Sequence, residues 1–287
     1  MTKNPSSRQI KTDPVQLDRK AVQRFRIAVY DHYFANPRPL PWRYTENPYH
    51  ILVSEIMLQQ TRVERVTGKY HEFLKAFPDF AALARAPIRD VLRAWQGLGY
   101  NRRAISLQET AKIVARDFSG ILPETPEQLR ALPGIGAYTA AAIAAFAFHR
   151  PVPLIETNVR AVFIHCFFHD RQDVRDREIM PLVQATIDTT DPRTWYYALM
   201  DYGVMLKRTH PNPSRKSAHH VRQTRFEGSD RQVRGKILRL LLLKPRSRKR
   251  DIPQALGETP ERVSKILKDL EKERFISRKG AHYAIAE

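Results

Sequence analysis

The chain has 287 residues, is 42% hydrophobic, and carries 49 lysines and arginines against 30 acids, a formal charge of +19. That length and apolar content support a real core in one large domain or two ordinary ones, and the charge excess points to an anionic partner, nucleic acid first. A lone cysteine, Cys166 in "VFIHCFF", excludes an intrachain disulfide and any cluster held by several cysteines, and no apolar run is long enough to cross a membrane.

The first residues, "MTKNPSSRQIKTDPVQ", lack the apolar core of a signal peptide, so an intracellular protein is expected, in the cytoplasm or nucleoid if prokaryotic. Residues 1–18 are polar and read as a flexible N-terminus. Residues 19–206 read as helical throughout. "AVQRFRIAVYDHYFAN" repeats apolar residues at three- and four-residue steps, and "PYHILVSEIMLQQTRVERVTGKYHEFLKAF" reads as two helices. "FAALARA", "IRDVLRAWQGLGY", "RRAISLQETAKIVARDF" and "TPEQLRAL" follow, punctuated by proline and glycine. No convincing alternating strand precedes residue 270.

"LPGIGAYTAAAIAAFAF", residues 132–148, is the strongest local signal. Gly134 and Gly136 make a tight hairpin whose backbone N–H groups, with those of Ala137 and Thr139, point outward at a helix start, a phosphate site that needs no side chain. This is the helix-hairpin-helix pattern, a sequence-independent grip on a DNA backbone. "GLGYNRRA", residues 97–104, is a second glycine turn with Arg102 and Arg103 behind it, both expected to contact the DNA backbone. In "VPLIETNVRAV", residues 152–162, an apolar run ends in Glu156 before Thr157 and Asn158, which suit a helix start. Glu156 is either a helix cap or a carboxylate held at a reaction centre.

Residues 207–230 hold two prolines and three histidines and read as a linker or an extended basic strap, opened by Lys207 and Arg208, which are expected on DNA phosphate. His210, His219 and His220 lack convincing ligand spacing, so no metal is expected. Residues 231–287 give "RQVRGKILRLLLLKP", a helix; "RKRDIPQALG", a short helix ending in glycine; and "TPERVSKILKDLEKE", a helix capped by Thr259 with Pro260 at its first position. "RFISRKGAHYAIA" then forms two short strands around Lys279-Gly280. Three helices and a hairpin make the winged-helix pattern. Its second turn helix would present Arg262, Ser264, Lys265 and Lys268 to DNA, and its wing Arg278 and Lys279. Docking to another protein is the alternative use of such a module.

"LPW", "NPYHILVSEIMLQQTRV", "VLRAWQGLGYNRRA", "LPGIGAYTAAAI" and "ETNVRAV" occur in the order and spacing of the helix-hairpin-helix DNA glycosylases. Across roughly residues 25–206 the chain most resembles the MutY adenine glycosylase branch, which removes adenine mispaired with oxidised guanine. The resemblance implies a mainly α glycosylase domain acting on double-stranded DNA that contains a mismatch or lesion, here A·oxoG or A·G. A monomer is expected.

Breaking an N-glycosidic bond builds positive charge on the sugar and negative charge on the leaving base. An acid for the base and a carboxylate for the sugar lower both barriers. Glu55 lies in the otherwise apolar "ILVSEIMLQQ", where the resemblance makes it the acid; an exposed glutamate on a helix face is the plainer alternative. Tyr138 occupies the place where bifunctional relatives carry a Schiff-base lysine, which implies a monofunctional enzyme, although a tyrosine packing the hairpin would look the same. By the same resemblance Gln60 and Tyr100 wedge into the duplex, and Trp42, Arg43, Leu58, Gln59 and Asn158 line or border the base pocket. Core packing is the alternative for Trp42 and Leu58. Glu156 stands where relatives place the aspartate that stabilises the sugar cation, one methylene longer.

Two departures stand out. The branch usually carries four cysteines after "ALMDYGVM" that hold an iron–sulfur cluster; here "LKRTHPNPSRKSAHH" follows with none, so no cofactor is expected. The branch's C-terminal domain for inspecting oxidised guanine is replaced by the winged-helix pattern. A thymine/uracil glycosylase for G·T and G·U mismatches, or a catalytically weak DNA-binding protein on this fold, are the rival readings.

Overall fold

A computed structural model describes residues 17–221 and 225–286; most of the expected flexible N-terminus and three strap residues lie outside them. In chain order come α1 (Arg19–Ala35), α2 (Pro48–Leu58), α3 (Val63–Ala76), α4 (Phe80–Arg85), α5 (Ile88–Ala94), α6 (Arg102–Asp117), α7 (Pro126–Arg130) and α8 (Ala137–Phe148). Then follow α9 (Thr157–Phe167), α10 (Asp176–Thr186), α11 (Pro192–Thr209) and α12 (Asp230–Leu243). Strand β1 (Ser247–Arg248), α13 (Ile252–Leu256), α14 (Pro260–Lys272), β2 (Ile276–Lys279) and β3 (His282–Ile285) close the chain.

The starts of these helices follow from capping chemistry. Asp18, Asn47, Asp79, Thr125, Asp191, Ser229 and Thr259 each accept a backbone N–H in the first turn of the helix behind them. Gly257 ends α13 in the left-handed region.

Packing divides the chain discontinuously. One unit comprises the described parts of Met1–Arg38 and Arg150–Val221. Here α9 and α11 lie against each other, with α1 and α10 beside them. Phe25 sits edge-on to Phe163, Phe167 and Trp195 at 5.5, 5.2 and 5.8 Å between ring centroids. Arg38 reaches the buried Asp201 at 2.7 Å. The basic strap is folded rather than a free linker between residues 212 and 218. A short 3-10 turn, Pro213–Lys216, packs on α9, and Ser214 Oγ donates to the Thr157 carbonyl at 3.1 Å. Val174 N–H donates to Lys216 O and Ala218 N–H to Val174 O, both at 3.0 Å. Backbone pairing of this kind holds a segment that its composition alone would leave loose.

The second unit comprises the described parts of Pro39–His149 and Arg222–Glu287. Its centre is α2 and α8, which are apolar nearly all round and buried along Tyr49–Met57 and Thr139–Ala147. The C-terminal module belongs to this unit. It packs α12, α13 and α14 over an antiparallel sheet of order β1-β3-β2, around Ile237, Leu241, Val263, Leu267, Phe275 and Tyr283. The hairpin expected around Lys279-Gly280 is present, with Ile276 opposite Ile285. Strand β1 was not expected; two residues are too few to show a period in sequence.

Candidate active site

Glu55 sits on α2 at 6% exposure, the one acid of a helix whose neighbours are aliphatic. A carboxyl is costly to bury unless it is paired, so its place in this helix makes Glu55 a candidate for chemistry.

The end of that helix is held with unusual care. Arg103, expected to contact DNA phosphate, is instead 9% exposed and points inward. Its guanidinium donates to the carbonyls of Ile56 and Met57 at 2.8 Å each and of Gln59 at 2.5 Å, thereby satisfying acceptors that the last turn of α2 leaves open. The same group donates to Thr61 Oγ1 at 2.9 Å and Gly99 O at 3.0 Å. Arg103 therefore ties the turn after α2 to the turn before α6, and these two turns carry Gln60 and Tyr100. A guanidinium committed this way has nothing left for a phosphate, so its DNA-contact assignment is withdrawn. Burial also lowers its pKa to about 10.

Gln60 and Tyr100 share a further property. Both are non-glycine residues in the left-handed region, with φ of 55° and 45°. Such conformations cost of order 1–3 kcal/mol and persist where the surroundings enforce them, often at functional sites. Gln60 is exposed and Tyr100 half-buried. Gln59 is not free to line a pocket: its amide donates to Gly134 O at 3.2 Å and Thr139 Oγ1 at 3.1 Å, bracing the hairpin against the end of α2. Trp42 is 3% exposed, edge-on to Tyr70 at 5.6 Å, so it is core rather than open pocket wall. Leu58 and Arg43 are half-buried.

The hairpin itself is as the glycines dictate. Gly134 has φ +77°, and a Cβ there would lie 2.7 Å from Ser106 Cβ, so both its conformation and its close approach to α6 require glycine. Gly136 precedes the first turn of α8, and Gly134, Gly136 and Ala137 are exposed. The first-turn N–H groups of α8 carry the helix's positive end. Thr139 is buried, so only its backbone is suited to phosphate. Tyr138 is half-buried on that first turn.

In the other unit, Glu156 is the N-cap of α9, a place the sequence reading left open between it and its two successors. Its Oε1 accepts from the N–H groups of Asn158 at 2.6 Å and Val159 at 2.9 Å. Backbone capping uses Oε1, and Oε2 accepts from Asn158 Nδ2 at 3.4 Å, so capping does not by itself exclude a reaction-centre role. Burial pushes its carboxyl above the usual range, opposed first by the charge of Lys207 and then by the two N–H donors and Arg160. Lys207, expected on DNA phosphate, turns inward: its Nζ donates to Asn158 Oδ1 at 2.8 Å. Its own pKa is lowered by burial, with Glu156 opposing. Gly203 makes this possible. A Cβ there would meet Asn158 O at 2.4 Å, so only glycine lets α11 bring Lys207 so near the start of α9. A lone glycine inside the helical "DYGVM" was the available sequence signal for that approach. Arg208 is exposed.

The residues present do not fit a cysteine-held iron–sulfur cluster. Cys166 lies on α9, where burial pushes its thiol to about 11. Ser214 and Ser217 of the folded strap are buried and hydrogen-bonded. His219 accepts the Asp176 N–H, His210 stacks edge-on to His165, and among the described residues no three histidine, cysteine or acidic side chains are placed to hold a metal.

In the C-terminal module, Lys265, Lys268, Arg278 and Lys279 are exposed, as expected of a DNA face. Arg262 is not available to it: it pairs with Asp230 at 2.8 Å and Glu258 at 3.0 Å and donates to Gly228 O at 2.6 Å. Ser264 lines a groove of about 630 Å³ together with Arg248, Arg250 and His282. Arg102 is exposed and reaches Glu273 at 3.2 Å, and Arg231 donates to the Tyr100 hydroxyl. The sequence held no signal for these two long-range contacts.

Residues 53–185 match the model of the HhH-GPD superfamily of base excision DNA repair proteins. An adenine DNA glycosylase of Mycolicibacterium smegmatis is 38% identical over 235 residues, covering 75% of this chain and 78% of that protein. The human adenine DNA glycosylase is 34% identical over 194 residues, 63% of this chain and 36% of the human protein. Among solved structures, a thermostable thymine-DNA glycosylase superposes with a TM-score of 0.59 at 25% identity, over 65% of this chain and 87% of that one. An endonuclease III–DNA complex superposes with a TM-score of 0.53 at 17% identity, over 65% of this chain and 86% of that one, a likeness of fold alone. The chain belongs to the HhH-GPD superfamily of base excision DNA repair proteins, in its adenine DNA glycosylase branch.

Proposed function

We propose that the protein is a monofunctional DNA glycosylase that flips adenine out of A·oxoG or A·G mispairs in double-stranded DNA and hydrolyses its N-glycosidic bond, acting as a monomer without an iron–sulfur cluster. The observation that carries this reading is the buried Glu55, set in an apolar helix whose end is fastened by Arg103 and Gln59. Glu55 protonates the departing adenine, and Glu156 stabilises the cation left on the sugar. Gln60 and Tyr100, already strained, enter the duplex as the base leaves the stack. The first-turn N–H groups of α8 receive the backbone phosphate. Tyr138 offers no amine for a Schiff base, so the strand stays intact after excision. The C-terminal module, read as a winged helix, adds a second basic contact through Lys265, Lys268, Arg278 and Lys279.

The test is a single-turnover panel of A·oxoG, A·G, G·T and G·U duplexes, each assayed with and without alkali. Adenine release from A·oxoG, with strand scission only after alkali, is the expected result. Glu55→Gln should slow it by roughly 10²–10⁴-fold while duplex binding persists. Release of thymine or uracil alone would transfer the protein to the rival reading favoured by its likeness to a thymine-DNA glycosylase. No release from any duplex would leave a DNA-binding protein.

A further inference from the structure

We propose that Arg231, on the first turn of α12, is a positioning residue for Tyr100, so that the C-terminal module takes part in opening the base pair rather than only docking the enzyme. The inference rests on the reading that Tyr100 enters the duplex.

Tyr100 is held from two sides. The guanidinium of Arg103 lies 5.6 Å from its ring centroid and that of Arg231 lies 5.5 Å from it, both within cation–π range. Arg231 Nη1 also donates to the phenol oxygen. The two arginines differ in what else they do. Arg103 is the fixed brace of the turn, committed to backbone carbonyls on both sides. Arg231 arrives from 131 residues further along the chain, and it is half-buried.

Local helix energetics do not explain its position. A cation in the first turn opposes the helix macrodipole, and Arg231 is the second residue of α12. The start of that helix is instead anchored in detail. Ser229 caps it; Arg262 pairs with Asp230 and donates to Gly228 O at 2.6 Å. Glu273, which follows α14, joins Arg234 of α12 at 2.8 Å to Arg102 at 3.2 Å, two residues beyond Tyr100. Two side-chain links, Arg231 to Tyr100 and Glu273 to Arg102, therefore place the module against the Tyr100 turn. A bulky residue at φ 45° would otherwise relax. Holding the ring in one orientation before DNA arrives removes an ordering cost from the step in which it inserts.

The experiment uses the full chain and an A·oxoG duplex with 2-aminopurine beside the target adenine, whose fluorescence rises as the stack opens. Stopped-flow fluorescence reads opening, and quench-flow reads excision on the same duplex. Arg231→Gln should slow opening about tenfold while duplex Kd changes less than about threefold, since positioning rather than binding is lost. Arg231→Lys should recover part of the rate, because it keeps the charge but not the planar stack. In a Tyr100→Ala background, Arg231→Gln should slow opening no further. Opening at the wild-type rate in Arg231→Gln, or slowing that multiplies with that of Tyr100→Ala, would overturn the proposal. Thermal melts identify a misfolded variant, in which case Arg231→Lys decides. A wild type that opens the pair but releases no base would refute the glycosylase reading and leave the Arg231 test intact.

Discussion

Lys207 donates from Nζ to Asn158 Oδ1 at 2.8 Å, and Asn158 N–H donates to Glu156 Oε1 at 2.6 Å. A cation thus sits one residue away from a carboxylate that burial drives toward its neutral form. The proposed role in excision needs that carboxylate ionised, so on that proposal activity should rise with pH through an acid limb above the ordinary carboxylate range. Lys207→Met removes the largest opposing influence, and the limb should move to higher pH; Lys207→Arg should hold it. The stability sign is the reverse. A carboxyl raised on folding contributes stability at pH below its unfolded value, and that contribution is lost as pH rises through the folded one. Single-turnover pH profiles and melts across the same range check both.

Gly203→Ala should weaken the seam of α11 and α9. The new methyl would stand 2.4 Å from Asn158 O, where backbone has to shift. A loss of about 1–3 kcal/mol is expected, read as a lower Tm. Excision should fall more than stability alone explains, because the displaced Asn158 and Lys207 both border Glu156.

Arg103→Ala should cost about 3 kcal/mol, since it strands several carbonyls that are buried or nearly so. Arg103→Lys should restore little, because an ammonium cannot fork across two turns. If Arg103 were a phosphate contact instead, either variant would chiefly lower DNA affinity and its salt slope, with Tm unchanged.

Neutralising Lys265 or Lys268 should lower the slope of log Kobs against log salt by about 0.9 each if they meet phosphates. Arg262→Ala should leave that slope unchanged and lower the melting temperature of the protein, because its charge is already matched by Asp230 and Glu258. Titrations of one duplex at several salt concentrations separate the two classes.

Local features were legible in the chain as written. The helix periods, the cap Thr259, the turn at Gly134 and the hairpin around Gly280 depend on neighbours within a few residues, so sequence states them directly. Glu55 was legible for the same reason: an acid amid aliphatic residues shows in the string. The direction in which the arginines and lysines point was not. Arg103, Lys207 and Arg262 look like free surface cations in sequence, and each is spent on partners within the protein up to 49 residues away. Long flexible side chains take their role from whichever acceptors packing brings near. Composition and local pattern therefore determined that this is a strongly basic, mainly helical protein with an acid, Glu55, in an otherwise apolar segment. Only the tertiary structure decided which charges face outward, that Glu156 caps α9 beside a half-buried lysine, and that Tyr100 is gripped by an arginine of the C-terminal module. Those outcomes depend on contacts between distant segments, which no local pattern encodes.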